Sequence, residues 1–405
     1  MRKILIIGFT WPEPATTAAG KRMMQLINFF IEYGYEIHFA SSAKKTNYSF
    51  PLEGINVITN NIEINSSSFD NYIQHLKPNI VLFDRFLTEE QFGWRVSENC
   101  PDALKILDTE DLHFLRKSRE IAFKNKENNY KNFIINDVTK RELASIYRCD
   151  LSLIISKFEY KLLTEEFLIP KHILLYIPFL IDLEICKKPL SFNERANFLT
   201  VGNFNHKPNW QSVLLLKEII WPIIRKKLPN AKIYVIGAYN DKAKQLHNKK
   251  DGFIIKGWVN NIEDYLTTTK VMLAPIPFGA GLKGKLFESM IYGIPNVTTN
   301  FGAEGLNEEK SWNGFIEDDF NEFALKAVEL YTTKVCWDNA QENGFNIVEN
   351  NFNKNSFLDH FFETINEISS CLEDHRNTNF VGEILKHHTL QSTKYLSKWI
   401  ELKNK

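Results

Sequence analysis

Short, largely apolar runs recur along the chain of 405 residues, spaced so that about one helix fits between each pair. In the first half they fall at residues 3–9, 36–40, 56–58, 80–83, 105–107, 151–156 and 173–177. In the second they fall at 197–201, 232–236, 253–255, 271–274 and 296–298. Where such a run lacks polar alternation, both of its faces are covered, as happens inside a parallel sheet. The segments between have helical spacing. In residues 21–33, for example, Met23, Met24, Leu26, Ile27 and Phe30 form one stripe and Gly34 stops the helix. Strand–helix alternation of this kind predicts an α/β chain of two Rossmann-like, doubly wound domains.

The length exceeds what one core usually supports, so a division is expected. Residues 182–195 have no clear periodicity and contain Pro189. The expected layout is therefore a first domain over 1–181, a linker over 182–195, a second domain over 196–375 and a terminal segment over 376–405. Residues 381–401 carry Ile384, Leu385, Leu390, Tyr395, Leu396 and Trp399 broadly on one side, and that face should pack back on the first domain. Two further long helices are expected at 128–149, with Phe133, Ile134, Val138, Leu143 and Ile146 inward, and at 211–227.

Charge and cysteine content narrow the setting. Basic and acidic residues number 49 each, so no net field draws the chain to nucleic acid or an anionic membrane. The five cysteines are scattered without metal-ligand pairing, which fits a reducing cytoplasm. Residues 2–9 resemble the start of a secretory leader, but the apolar run is short and Trp11-Pro12-Glu13-Pro14 follows it. The longest later run, 173–181, is about half a membrane span and contains Pro178.

The chemistry concentrates in Ala274-Pro-Ile-Pro-Phe-Gly-Ala-Gly-Leu-Lys-Gly-Lys-Leu-Phe-Glu-Ser-Met-Ile-Tyr-Gly-Ile-Pro295. A buried strand leads through Gly279, Gly281 and Gly284 into a helix near Lys283. Glycines admit close backbone approach, and the free N–H groups of a helix start favour an anion. Lys283 and Lys285 sit against that dipole, which suits them only if an anion lies between. Glu288, within about a turn, offers two acceptor oxygens to a pair of ribose hydroxyls. The pattern fits a nucleotide-diphosphate site; it also fits an ordinary strand-to-helix turn with solvated lysines.

Other candidates lie at the ends of predicted strands, where parallel sheets form their ligand crevice. Gly20 at a helix start fits a phosphate contact or a plain turn. Asp84-Arg85 and Asp108-Thr109-Glu110-Asp111-Leu112-His113 end two strands. Asp111, and less directly Asp108 and His113, are candidates for acceptor or sugar contacts, while Asp108 or Thr109 equally suits a helix cap. In the second half, Asn203, Asn205 and Lys207 lie in a loop that could face the diphosphate, and Glu304 is one more inward acid.

The order Gly202–Trp210, Gly257-Trp258-Val259, Phe278–Met290, Gly293-Ile-Pro295 and Gly302–Leu306 resembles the group 1, family 4-like branch of the GT-B glycosyltransferases over about residues 197–306. The resemblance implies two domains facing a cleft. It implies transfer of a sugar, with retention, from a UDP- or GDP-linked donor to the hydroxyl of a sugar, lipid-linked or protein-linked acceptor, with cell-surface glycan assembly as the setting. Glu288 would hold the ribose, and Lys283, Lys285 and the Asn205–Lys207 loop would neutralise the diphosphate. Main-chain groups at Trp258 and Val259 would receive the base, and the amides of Gly281 and Leu282 would support the sugar end. Catalytic roles would fall to Lys283, Asp111 and His113. No metal or cofactor beyond the donor is implied, and membrane contact would be peripheral, at the inner face. The family commonly has a second glutamate eight positions before Glu288; here that position is Ala280. An epimerase or hydrolase of the same fold, a metal-dependent GT-A enzyme using Asp108-Thr109-Glu110, and a non-catalytic binding protein are the competing readings.

Overall fold

The structure, a computed structural model, describes residues 2–182, 189–239, 241, 243–306 and 311–404, without the side chains of 388–391. Most of the expected linker (183–188) and the Leu390 side chain lie outside that description.

Thirteen strands form two sheets among the described residues. The first contains β1 (Lys3–Gly8), β2 (Glu36–Ser41), β3 (Ile58–Asn61), β4 (Ile80–Asp84), β5 (Leu104–Asp108), β6 (Leu151–Ile154) and β7 (Leu174–Tyr176), in the order β3-β2-β1-β4-β5-β6-β7. The second contains β8 (Ala196–Val201), β9 (Ile233–Ile236), β10 (Phe253–Gly257), β11 (Thr269–Ala274), β12 (Asn296–Thr298) and β13 (Gly314–Ile316), in the order β10-β9-β8-β11-β12-β13. The paired strands run parallel throughout. The alternation along β1 explains why: Ile4 and Ile6 enter one apolar cluster, Leu5 and Ile7 another on the opposite face. Each sheet reverses its strand order once, at β1/β4 and at β8/β11, and such switch points open the crevice where ligands bind.

Two expected helices are interrupted. Residues 128–149 are a short 3-10 turn, Tyr130–Phe133, followed by the helix Asp137–Arg148. The break has a cause in the sequence. The Asn136 side chain accepts from the Val138 and Thr139 amides, at 3.0 and 3.3 Å, while the Asn136 amide donates to Thr139 Oγ1. That reciprocal cap starts a new helix there. Residues 211–227 belong to a helix that begins earlier, at Lys207, and widens into a π-helical turn over Leu216–Ile220 just before Pro222, a residue with no N–H to donate. Strand β13 has no counterpart among the expected runs.

The chain returns to the first sheet well before residue 376. Phe361, Phe362, Ile365 and Ile368 of the helix Leu358–Ser370 are buried in the cluster with Ile4, Phe30 and Leu82. The helix Phe380–Lys403 then lies against the helices Arg85–Asn99 and Asp137–Arg148, but not through the expected face: Ile384, Tyr395, Leu396 and Trp399 are exposed, and the side that carries Ser397 docks instead. Arg95 donates to Ser397 Oγ at 3.1 Å, and Asn379 Nδ2 donates to the Tyr147 carbonyl at 2.7 Å. A further apolar cluster joins the halves: Ile155, Phe179 and Ile181 pack with Leu286, Phe287, Met290 and Phe352.

Candidate active site

The two switch points face each other. From the second sheet, β11 leads through the glycine loop into the helix Gly284–Ile291, with Lys283 as its extended N-cap. Gly281 has φ 64°, a left-handed conformation that glycine adopts without strain. It also lies so close to the first domain that a methyl group on it would come within 2.8 Å of Asp111 Cβ. Gly284 meets Ala18 in the same way, a Cβ there falling 2.9 Å from the Ala18 Cβ. The starts of two helices, one from each half, therefore meet in the cleft.

Lys283 is buried and donates to the Gly281 carbonyl at 2.7 Å. Lys285 donates to Asn209 Oδ1 at 2.8 Å. Burial pushes the Lys283 ammonium down to about 8 and that of Lys285 to about 7, so at pH 7 Lys283 is mostly charged and Lys285 only partly so, and an arriving negative charge would favour the cation of both. Glu288 is paired across the cleft with Lys21. Leu282 points into the interdomain apolar cluster, leaving only its main chain for a ligand. Ala280 packs against first-domain apolar residues.

In the loop after β8, the exposed Asn205 donates its amide to Asn203 Oδ1 at 2.9 Å, and exposed Lys207 reaches Glu120 Oε1 of the first domain at 2.8 Å. Trp258 is 38% exposed, with Tyr48 of the first half 5.3 Å from its ring; Val259 packs against the cluster of Leu199, Ile236 and Leu266. Gly20 has a local reason to be glycine: a Cβ would meet the Glu13 backbone at 2.4 Å. Its amide goes to the capping Thr17 hydroxyl.

On the first-domain side, β4 and β5 end in register at Asp84 and Asp108. A non-glycine residue in left-handed conformation comes soon after each: Arg85 (φ 70°) directly after Asp84, and Glu110 (φ 61°) two residues after Asp108. Such strain persists only where the surroundings enforce it. Asp111 is ion-paired with Arg116 and lies 3.5 Å from His113 Nε2. Burial opposes ionisation of Asp111, but Arg116 and His113 outweigh it and hold the carboxyl at about 2. Burial pushes His113 down to about 3, so its imidazole is neutral at pH 7. Asp108 is completely buried beside Arg22, 3.6 Å away.

Two cross-cleft residues, Arg119 and Glu159, escape the sequence reading. Arg119 donates to Glu304 through two bonds of 2.7 Å and to the Gly279 carbonyl at 2.7 Å. Glu159 accepts from the Gly281 amide at 2.7 Å. A signal for Arg119 exists, since it shares a helical stripe with Leu115 and Ala122, where a charged residue needs a buried partner. Among the described residues no group of three or more His, Cys, Asp or Glu side chains has metal-holding geometry.

Residues 195–333 match the family model described as Glycosyl transferases group 1. By sequence, no curated protein matches the chain. Solved structures with the same fold include S. aureus TarM, whose mutant complex with fondaparinux, alpha-GlcNAc-glycerol and UDP has TM-score 0.70 at 10% identity, over 90% of this chain and 100% of that one. Sucrose-phosphate synthase from Thermosynechococcus elongatus has TM-score 0.67 at 14% identity, over 92% and 100%. Anabaena HepE in complex with UDP and glucose has TM-score 0.66 at 15% identity, over 91% and 100%. At these identities the likeness establishes the GT-B fold.

Proposed function

Because residues 195–333 match the group 1 glycosyltransferase family model and the chain has a GT-B fold, we propose that it is a retaining glycosyltransferase acting on a nucleotide diphosphate sugar. One observation carries the reading: Lys283, Lys285 and Glu288 lie within two turns at the start of one helix, at the switch point of the second sheet. A diphosphate held by the lysines would place its ribose at Glu288 and its base toward Trp258 and Val259. The solved relatives named with UDP favour a UDP-linked donor over a GDP-linked one.

In the reaction, the bond from the anomeric carbon to the diphosphate oxygen breaks as a bond to the acceptor oxygen forms on the same face. The acceptor's proton passes to the leaving phosphate. Fixed positive charge at Lys283 and the loop amides stabilise the charge building on that phosphate, and no metal or cofactor takes part in the proposal. Asp111 and the neutral His113 orient the acceptor hydroxyl from the first-domain side. Cleft closure excludes water and so favours transfer over hydrolysis.

The acceptor is a sugar, lipid-linked or protein-linked hydroxyl in glycan assembly, met at the cytoplasmic face of a membrane. No described helix is long and apolar enough to cross one. Peripheral contact is supported by the helix Phe380–Lys403, which leaves Val381, Ile384, Tyr395, Trp399 and Leu402 exposed on one face.

Incubation with UDP- and GDP-linked hexoses, with and without sugar and lipid-linked acceptors, tests the reading. Acceptor-dependent release of nucleotide diphosphate supports it. Donor epimerisation or hydrolysis that ignores acceptor would reassign the chain to the rival activity, and binding without turnover would make it a non-catalytic relative.

A further inference from the structure

Glu159 belongs to the first half, yet its carboxylate reaches the glycine loop of the second. Oε1 accepts from two amides, Leu112 at 3.1 Å and Gly281 at 2.7 Å. Oε2 is buried and has no hydrogen-bond partner among the described residues. The side chain is completely buried. A buried carboxylate oxygen without a donor is costly, and its persistence asks for a partner that arrives with a ligand.

Position along the loop identifies that ligand. On the reading above, the ribose lies at Glu288 and the diphosphate at Lys283 and Lys285. Following the chain back towards β11 continues along the donor past its phosphates to Gly281. The Gly281 carbonyl is held by Lys283 and its amide by Glu159, so the two side chains bracket one peptide. Ala280 and Gly281 are small enough for Asp111 and Glu159 to come this close, since a Cβ added to Gly281 would fall 2.8 Å from Asp111 Cβ.

Resting on the nucleotide-sugar reading, we infer that Glu159 is the carboxylate that accepts a hydroxyl of the donor sugar through Oε2, so that the sugar end of the donor site is completed by the first domain. Burial raises the Glu159 carboxyl to about 7, and Asp111 adds to the rise. The group can thus take a sugar hydroxyl as a charged acceptor or share a proton with it. On that placement its contribution is specific to the sugar, since the diphosphate would end at Lys283 and Lys285.

Calorimetric titration of the full chain with UDP, GDP and their glucose and N-acetylglucosamine conjugates tests this. In Glu159→Gln the diphosphates should bind within about twofold of wild type, while the matching nucleotide sugar loses about tenfold. Glu159→Asp keeps the charge but withdraws the oxygen, and should show the same split if the Gln variant folds poorly. Equal weakening of diphosphate and nucleotide sugar, or no weakening of either, would overturn the inference while leaving the nucleotide-sugar reading intact. A wild-type chain that binds none of the ligands would remove both.

Discussion

Arg119 of the first half and Glu304 of the second form a two-pronged ion pair, with both bonds at 2.7 Å and the guanidinium 1% exposed. The same guanidinium donates to the Gly279 carbonyl, at the entrance of the glycine loop. One side chain therefore clamps the glycine loop and a neighbouring acid to the opposite domain. Tyr130 and Phe301 rings lie 4.6 and 4.7 Å from it and keep water away.

Removing the arginine leaves a largely buried carboxylate unpaired. Arg119→Ala should lower stability by about 3 kcal/mol or more, and Glu304→Gln, which keeps some hydrogen bonding, by about 1–2 kcal/mol. Urea unfolding of the two variants measures the difference. A loss below about 0.5 kcal/mol in Arg119→Ala would mean that the clamp is not formed in solution.

The lysine values set a pH dependence for nucleotide diphosphate affinity. Free Lys285 and Lys283 lose their protons near 7 and 8, because burial disfavours the cation. Affinity should therefore fall as pH rises from about 6.5 to 9, by up to about tenfold per unit for each lysine that must be reprotonated. Binding near pH 8 should take up protons, which titration in buffers of different ionisation enthalpy detects. The sign for folding follows from the same values. Unfolded lysine keeps its proton to about 10.5, so the cost of burying these groups is present at neutral pH and fades as pH rises through the interval above 8. An affinity that is flat or rises over this range would show that neither lysine meets the ligand.

Most of the architecture was legible because most strands are apolar runs whose partners are other apolar runs, and because Gly34 and the Gly279–Gly284 loop mark where elements stop; the edge strands β3, Ile-Thr-Asn-Asn, and β13, Gly-Phe-Ile, carry little of that signal. The second-domain side of the site was legible for the same local reason: Lys283, Lys285 and Glu288 lie within six residues of one another. The first-domain side was legible only in part: Asp111 and His113 follow a strand end and could be named, but the cross-cleft partners could not. Arg119 and Glu159 meet partners 160 and 122 residues away, and each sits within a helix where local spacing alone suggests solvent or core. The early return of the chain was hidden similarly, since the apolar face of Leu358–Ser370 looks the same whichever sheet it covers. Asn136 was a readable signal, as an Asn followed three residues later by Thr can cap a new helix.

The helix Phe380–Lys403 gives a separate test of membrane contact. Its exposed face carries Tyr395, Trp399 and Leu402, with Lys398 and Lys403 beside them. Vesicles containing anionic lipid should sediment the protein and blue-shift its tryptophan emission, and Trp399→Ala with Leu402→Ala should weaken that binding about tenfold or more. Sedimentation that is unchanged by the double substitution would place any contact elsewhere. Retention in the membrane pellet after a carbonate wash would contradict a peripheral mode.

Glu288 and Lys283 differ in what they should do to the reaction. Ribose hydroxyls are unchanged as the glycosidic bond breaks, so Glu288→Gln should mainly raise the donor KM, by the equivalent of about 1–3 kcal/mol. On the proposed reading, Lys283 would face a diphosphate that gains charge in the transition state. The most direct measurement is the kcat of Lys283→Ala for acceptor-dependent transfer at saturating donor. A fall on the order of 10²-fold or more is expected if this ammonium stabilises the leaving phosphate, and an unchanged kcat would contradict its place in the reaction.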